Sequence, residues 1–178
     1  MEKNLYIIRH CEAEGQPLES KLTEKGIQQS IALSEFFSSF KIERVISSPF
    51  LRAIQTVEPI IETKQLTLET DNRLAERILS SKNLPNWLEL LKDSFTDLNV
   101  KLEGGESSQE AMNRIVEVIE EIDNGNTIIV THGNILSLLL KYYDTSFGFE
   151  NWKKLSNPDV YLLKMKDNHF SFERIWKE

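Results

Sequence analysis

The sequence is poor in the residues that hold metals and disulfides. Its 178 residues include one cysteine, Cys11, and three histidines, His10, His132 and His169. One cysteine cannot form an intramolecular disulfide, and so few thiols and imidazoles make a metal cluster of these ligands a weak hypothesis. We therefore predict a chain without disulfides, with no metal and with no cofactor.

Long apolar runs, internal repeats and flexible linkers are also missing from the sequence. No apolar run reaches the roughly 18 residues that a transmembrane helix needs, so we predict no membrane span. The apolar run Leu5–Ile8 is too short for a signal peptide and ends at Arg9, which favours a cytoplasmic location. Because the chain has 178 residues and no linker, residues 1–178 are predicted to form a single domain.

The sequence has fewer basic than acidic residues, 21 Lys and Arg against 28 Asp and Glu. The formal net charge is −7 at pH 7, which argues against nucleic acid and against anionic membranes as partners. An anionic small substrate is still compatible with this charge, because a few arginines and histidines can dominate the field inside a cleft. The simpler interpretation of the net charge is solubility. The choice between a monomer and a homodimer stays open.

Short apolar runs rich in β-branched residues predict the strands of a sheet. Strands are expected over residues 5–8, 44–47, 66–68 and 127–130. Two further runs, 160–165 and 170–175, flank Asp167-Asn168, which is typical of a β-hairpin.

Helical patterns lie between the predicted strands. Thr23 is predicted to cap the first helix, whose apolar face would carry Ile27, Ile31, Phe36, Phe37 and Phe40. Ser107 and Glu110 form a capping-box pattern ahead of a clearly amphipathic helix. Further helices are predicted over residues 49–61, 85–95 and 135–140. Strands that alternate with helices indicate an α/β fold, a three-layer α/β/α sandwich with a mainly parallel sheet and an antiparallel edge strand.

Three chemically interesting segments directly follow predicted strands. They are Arg9-His10-Cys11, Ser47-Ser48-Pro49 and Thr131-His132-Gly133. Ligands of such folds bind beyond the carboxyl ends of the strands, so His10 and His132 should point into one crevice. Taken singly, each histidine is more simply explained as a hydrogen-bonded residue, and His169 is predicted to be a surface residue of the hairpin.

Two histidines with nearby arginines suit phosphoryl transfer better than metal binding. A neutral imidazole is a good nucleophile toward phosphorus. The planar guanidinium group matches phosphate geometry and stabilises the charge on the transferring oxygens. Arg9 is next to His10, and Arg52 is expected in the first turn of the second helix, at the same edge of the sheet.

Six segments in order resemble the histidine phosphatase superfamily, which includes the cofactor-dependent phosphoglycerate mutases. The resemblance therefore implies a phosphoglycerate mutase-like fold, and six ordered matches are far more specific than one. The segments are residues 7–12 (R-H-G-E), 22–28 (L-T-x-x-G-x-x-Q), 47–56 (S-S-P-L-x-R-A-x-Q-T), 73–76 (R-L-x-E), 104–107 (G-G-E-S) and 130–133 (V-T-H-G).

The resemblance implies a role for each matching residue. His10 would accept the phosphoryl group, and Glu76 would act as the general acid and base. Arg9, Arg52 and His132 would hold the phosphoryl oxygens. Substrate-binding roles would fall to Gln16, Gly133, Glu106 and Ser107, although the start of a helix explains Glu106 and Ser107 almost as well.

The chain departs from the family pattern at three places. Cys11 stands where the family has glycine, which a negative φ would tolerate and a positive φ would make strained. We interpret Cys11 as an inert small residue. Ala13 replaces a hydroxyl residue, and the family pattern after Glu76 is missing, so the substrate stays open.

The leading hypothesis is a metal-independent phosphomonoesterase, a histidine acid phosphatase-like hydrolase that acts on a small phosphate ester. Few residues between Glu76 and Gly104 could form a lid, and an open pocket would let water reach a phosphohistidine. The alternatives are a phosphoglycerate mutase-type phosphotransferase and a catalytically silent phosphate-binding protein, which Cys11 and Ala13 keep open.

Overall fold

The computed structural model describes residues 1–177, and their contacts group into two compact units. The sheet unit comprises Met1–Ala75, Asp123–His132 and the described residues from Ser156 onward. The helical unit comprises Glu76–Ile122 and Gly133–Leu155. The single domain expected over residues 1–178 stays a prediction.

The sheet unit is built on six strands in the order β3-β2-β4-β1-β5-β6. Strands β3, β2, β4 and β1 run parallel, whereas β5 is antiparallel to β1 and to β6. The predicted mainly parallel sheet with an antiparallel edge is therefore confirmed. The strands are β1 (Glu2–Arg9), β2 (Arg44–Ser47), β3 (Leu68–Thr70), β4 (Gly125–Thr131), β5 (Asp159–Lys166) and β6 (His169–Arg174).

The β5–β6 hairpin turns at Asp167-Asn168, as the sequence predicts. Both residues have positive φ, 48° and 66°. Two consecutive left-handed residues match the right-handed twist of the strands, and Asn and Asp tolerate this conformation better than most side chains.

Two α-helices belong to the described part of the sheet unit, α1 (Glu24–Phe36) and α2 (Leu51–Lys64), and they pack on each other. Thr23 caps α1 as predicted, because its Oγ1 accepts the Gly26 N–H at 3.0 Å. The apolar face predicted for this helix is correct only in part, because Phe37 is fully buried and Phe36 and Phe40 pack against the core. Ile27 and Ile31 are 48% and 44% exposed, and the buried face instead carries Gly26, Ser30 and Leu33.

A close backbone approach explains which face of α1 is buried. The Glu12 carbonyl lies so near Gly26 that a Cβ atom there would stand 2.0 Å from the oxygen. Because only glycine permits this approach, the face of α1 that carries Gly26 is buried and the face that carries Ile27 and Ile31 is exposed.

The core of the sheet unit joins one face of the sheet to α1 and α2. Each fully buried Val, Leu, Ile or Phe contributes about 1.5–3 kcal/mol of hydrophobic stabilisation. The hydrophobic cluster that forms this core consists of Tyr6, Ile8, Leu33, Phe37, Ile42, Val45, Ala53, Val57, Ile60, Ile128, Val130, Val160 and Leu162.

The helical unit contains α3 (Trp87–Thr96), α4 (Ser108–Glu121), α5 (Gly133–Tyr143) and α6 (Phe149–Lys153). Helix α4 packs on α5, and α6 packs on both α3 and α5. The predicted capping box is confirmed, with Ser107 and Glu110 exchanging hydrogen bonds at the start of α4. Over residues 1–177, no helix combines the length and the apolar character that crossing a bilayer would require.

Candidate active site

The structure brings His10 and His132 together at one edge of the sheet. Strands β2, β4 and β1 are adjacent and parallel, so the residues that follow them share that edge. The two imidazole rings lie 5.1 Å apart between centroids. His132 is fully buried, whereas His10 is half-buried.

The loop that follows β1 is held through its main chain. Four hydrogen bonds from distant segments fix residues 10–12, so the backbone beneath His10 has little freedom. The bonds are His10 N to Thr131 O (3.1 Å), Cys11 N to Thr56 Oγ1 (2.9 Å), Glu12 N to Gln29 Oε1 (2.8 Å) and Asn157 Nδ2 to His10 O (2.9 Å).

A hydrogen bond to its own loop assigns the tautomer of His10. Its Nδ1 lies 2.7 Å from the Cys11 carbonyl oxygen. A carbonyl oxygen only accepts, so Nδ1 carries the proton and Nε2 carries the lone pair of the neutral ring. The nucleophilic nitrogen of the neutral ring is therefore Nε2.

The surroundings keep the His10 ring neutral. Burial lowers its pKa from 6.5 to about 3, and the positive charges of Arg52 and Arg9 act in the same direction. The hydrogen bond with the Cys11 carbonyl opposes this shift. At neutral pH the ring is uncharged, and its Nε2 carries a lone pair.

Arg52 is the cation closest to that lone pair. It lies in the first turn of α2, as predicted, and it is 1% exposed. Its Nε donates to His10 Nε2 at 3.3 Å, and its Nη1 donates to the carbonyl oxygens of Gln16 and Pro17 at 2.8 and 3.0 Å. A tetrahedral anion bound at His10 would therefore meet a preorganised guanidinium group.

Gln16 contributes through its main chain and not through its amide. The carbonyl oxygen of Gln16 accepts from Arg52, and the Gln16 side chain is exposed. Its predicted substrate contact stays a prediction.

Arg9 is oriented by the loop between the helical unit and β5. Its Nη1 lies 3.4 Å from the Ser156 carbonyl oxygen. The Ser156 N–H donates to Asp159, a fully buried carboxylate that also accepts from Arg174 Nε at 2.8 Å. This network ties the arginine beside His10 to the β5–β6 hairpin.

His132 is held by residues that follow β2. Its Nε2 lies 2.8 Å from Ser48 Oγ, and both side chains are fully buried. The Phe50 ring meets the His132 ring edge-on, with centroids 4.8 Å apart. The orientation of His132 thus depends on the same segment that carries Arg52.

Cys11 fits its position without backbone strain. The non-glycine residues with positive φ over residues 1–177 are Gln65, Asp167 and Asn168, so Cys11 has a negative φ. Its side chain is fully buried, and burial raises the pKa of the thiol to about 12. These observations agree with the interpretation of Cys11 as an inert small residue.

The thiol of Cys11 is expected to be unreactive in the folded protein. At pH 8 almost none of it is thiolate, and the side chain is shielded from solvent. An Ellman assay should detect no fast-reacting thiol in native protein and one thiol per chain after unfolding in denaturant. A stoichiometric native reaction within minutes would contradict this prediction.

Glu76 lies at the start of the helical unit, bound to the N-terminus of α5. Its Oε1 accepts from the N–H groups of Arg77 and Ile135 at 2.8 and 3.0 Å, and its Oε2 accepts from Asn134 N at 3.1 Å. A carboxylate at a helix N-terminus is stabilised by the free N–H groups and the helix dipole. In the sequence, Asn134 comes two residues after His132.

Glu106 supports the main chain around Glu76. Its carboxylate forms an ion pair with Arg114, with oxygen–nitrogen distances of 2.6 and 3.1 Å, and accepts from Ile78 N at 3.2 Å. Arg114 Nη2 also donates to the Glu76 carbonyl oxygen at 3.2 Å. The structure thus gives Glu106 a supporting role, and its predicted substrate contact stays a prediction.

Two other predicted substrate-binding residues have structural partners. Ser107 Oγ accepts the Glu110 N–H at 3.0 Å as the cap of α4. Gly133 is buried at the start of α5, where its carbonyl oxygen accepts from Ser137 Oγ at 2.8 Å. Their substrate contacts likewise stay predictions.

Sequence reasoning assigned no role to three residues that contact His10 or His132, namely Ser48, Phe50 and Asn157, although it placed Ser47-Ser48-Pro49 at the same edge of the sheet. Ser48 and Phe50 lie within the quoted S-S-P-L-x-R-A pattern, so that segment signalled their importance without indicating a role. Asn157 reaches His10 across 147 positions of sequence, and nothing local to it indicates this contact. Among the described residues, no group of three or more His, Cys, Asp or Glu side chains is placed to hold a metal ion.

Comparisons with known proteins agree on one family and one fold. The family model of the histidine phosphatase superfamily (branch 1) matches residues 5–177. A Hydrogenobacter thermophilus protein provisionally named phosphoserine phosphatase 2 is 29% identical over 167 residues, 84% of this chain and 82% of that protein. A Salmonella choleraesuis protein named probable phosphoglycerate mutase GpmB is 28% identical over 170 residues, 83% and 76% of the two chains.

A solved structure confirms the predicted fold class. The crystal structure of phosphoglycerate mutase from Bacillus anthracis superposes with a TM-score of 0.79 at 19% identity, covering 98% of this chain and 92% of the other. At this identity the likeness shows the α/β, phosphoglycerate mutase-like fold alone.

Proposed function

Because this chain belongs to the histidine phosphatase superfamily, branch 1, we propose that it is a metal-independent phosphomonoesterase that acts through a phosphohistidine on His10. The observation that carries this proposal is the arrangement around His10 Nε2. A neutral imidazole lone pair lies 3.3 Å from the Arg52 Nε donor, with the second imidazole 5.1 Å away between ring centroids. A nucleophile next to fixed cationic donors is what phosphoryl transfer requires.

In the first step, the hydrogen bond of the Arg52 Nε–H moves from His10 Nε2 to a phosphoryl oxygen, and the freed lone pair attacks the phosphorus of the ester. The bond from phosphorus to the ester oxygen breaks. Glu76, in its protonated form, gives its proton to the departing oxygen and becomes a carboxylate, so an alcohol leaves. The hydrogen bond between His10 Nδ1 and the Cys11 carbonyl supports the positive charge that develops on the ring. Arg9, Arg52 and His132 hold the three phosphoryl oxygens during the transfer.

In the second step, the Glu76 carboxylate takes a proton from a water molecule, which attacks the phosphohistidine. The phosphorus–nitrogen bond breaks, inorganic phosphate forms, and His10 returns to its neutral form. This step requires the Glu76 carboxylate to come within hydrogen-bonding reach of the water. The N–H groups at the start of α5 support the proposal, because they orient this carboxylate.

We propose small phosphate esters as the substrate class and the cytoplasm as the location. The net charge of −7 makes nucleic acid and anionic membranes poor partners. Oligomeric state plays no part in the proposal, because His10, Arg9, Arg52 and His132 all belong to the sheet unit of one chain.

A mutase-type phosphotransferase is the second candidate, because one of the similar proteins is named a phosphoglycerate mutase. The two candidates share the first step and differ in the acceptor of the second. Adding a phosphoglycerate to the phosphorylated protein and measuring phosphoryl return against phosphate release separates them. Predominant return to the phosphoglycerate would favour the mutase.

The proposal is tested by trapping the intermediate. Incubation with a phosphate ester labelled in the phosphoryl group, followed by a rapid quench in base, should leave label on the protein. That label should survive base and be lost in acid, as expected for phosphate bonded to nitrogen. Phosphate release should be unchanged by a chelator of divalent metals.

Two results would contradict the proposal. Activity that a chelator abolishes and a divalent metal restores would show metal-dependent chemistry. Turnover without label on the protein at any quench time would favour direct attack by water.

A further inference from the structure

Phe50 contacts both of the groups that are proposed to hold the phosphoryl oxygens opposite His10. The Arg52 guanidinium carbon lies over the Phe50 ring, 4.8 Å from its centroid. The His132 ring meets the same ring edge-on at 4.8 Å, with an interplanar angle of 69°. One aromatic ring therefore contacts both the guanidinium group and the buried imidazole.

The ordinary structural roles of a phenylalanine do not explain this ring. Phe50 is half-buried, and it does not belong to the hydrophobic cluster of the sheet unit described above. It precedes α2 in an extended conformation, with φ −65° and ψ 135°, which other residues adopt equally well. The main-chain carbonyl of Phe50, and not its side chain, accepts the first N–H bonds of the helix, from Ala53 and Ile54.

The physical effect of the ring is electrostatic as well as steric. The face of an aromatic ring is negative, so it attracts the guanidinium group, and its edge and face both suit contact with another ring. A leucine, which the S-S-P-L-x-R-A pattern has at this position, offers similar apolar volume without the negative face. In this chain the ring adds a contact that limits the orientations of Arg52 and His132.

We propose that Phe50 is a positioning residue, which holds Arg52 and His132 ready for the transferring phosphoryl group before the substrate binds. This inference rests on the proposed function. Orienting these donors in advance lowers the cost of ordering them in the transition state, where charge develops on the phosphoryl oxygens.

The test compares Phe50→Leu with Phe50→Tyr. Loss of one partly exposed cation–π contact is expected to lower kcat/KM about 3- to 10-fold in Phe50→Leu. The inhibition constant of orthovanadate, which mimics five-coordinate phosphorus, should rise by a similar factor. Phe50→Tyr keeps the ring and is expected to recover both values to within about twofold of the parent.

Three controls keep this result separate from folding and from the proposed function. Phe170→Leu removes an exposed phenylalanine of β6 and should change neither value. The melting temperature and the far-UV circular dichroism of Phe50→Leu should match the parent, and Phe50→Met serves if the leucine variant does not fold. Phosphohistidine should still be trapped in Phe50→Leu, because His10 and its Cys11 partner are unchanged.

Two outcomes would overturn the inference. Phe50→Leu could equal the parent in kcat/KM and in vanadate inhibition, or Phe50→Leu and Phe50→Tyr could lose activity equally. In either case, label trapped on His10 would leave the proposed function standing while the role of Phe50 fails. Absence of that label in the parent protein would instead be a failure of the proposed function.

Discussion

Replacing His10 with alanine is expected to reduce phosphate release by about 10³-fold or more, because the variant lacks the nucleophile of the first step. The fold should persist, since the main-chain bonds of the loop to Thr131, Thr56, Gln29 and Asn157 do not need the ring. The measurement is steady-state phosphate release from a small ester, together with the trapping experiment, which should show no label on this variant.

His169→Ala is the matched control for this prediction. His169 is an exposed histidine at the start of β6, so its removal changes the histidine content of the chain without changing the site. This variant should release phosphate and trap label as the parent does. A His10→Ala protein that hydrolyses esters at the parent rate would show that His10 is not the nucleophile.

Replacing Glu76 with glutamine is expected to lower phosphate release from alkyl phosphates by about 10²- to 10⁴-fold, because an amide cannot supply the proton that the departing oxygen needs. The loss should be smaller for an aryl phosphate, whose phenolate leaves without protonation. For the aryl ester, the second step should then limit the rate, so phosphohistidine should accumulate on the variant.

The control for this change is Glu58→Gln, which alters an exposed carboxylate in α2. Folding of Glu76→Gln must be checked by its melting temperature, because one carboxylate oxygen that accepts backbone N–H bonds becomes an amide nitrogen. Equal losses for alkyl and aryl esters in a folded Glu76→Gln protein would contradict the role of general acid. The carboxylate would then contribute only by holding the N-terminus of α5 in place.

Much of the fold follows from local patterns of the sequence. The runs around Ile7, Val45 and Ile129 predicted strands because buried parallel strands need apolar residues on both faces. The caps at Thr23 and Ser107 and the turn at Asp167-Asn168 were correct, because hydrogen bonds and dihedral preferences within a few residues decide them.

The sequence-based prediction of the fold fails where packing between distant segments decides which face of a helix is buried, and where an element is very short. Ile27 and Ile31 were wrongly assigned to the buried face of α1, because the approach of the Glu12 carbonyl to Gly26 outweighs their hydrophobicity, whereas Phe37 was correctly assigned to it. Helix α6 was not predicted at all. It has only five residues, too few for a periodic pattern to be visible.

By itself, the sequence determined which side chains follow the strands β1, β2 and β4, and therefore that His10 and His132 would share one edge of a sheet with Arg52 nearby. The identity of each strand depends on short-range patterns, and ligands of such sheets bind beyond the carboxyl ends of the strands, so this much can be inferred without coordinates. The tertiary structure alone decided how these groups are arranged. The guanidinium group at His10 Nε2, the amide of Asn157 at the His10 carbonyl and the contact of the Phe50 ring with His132 depend on angles and distances between segments far apart in the chain. Hydrogen bonds and ring contacts vary over tenths of an ångström, and only the packed molecule sets distances on that scale.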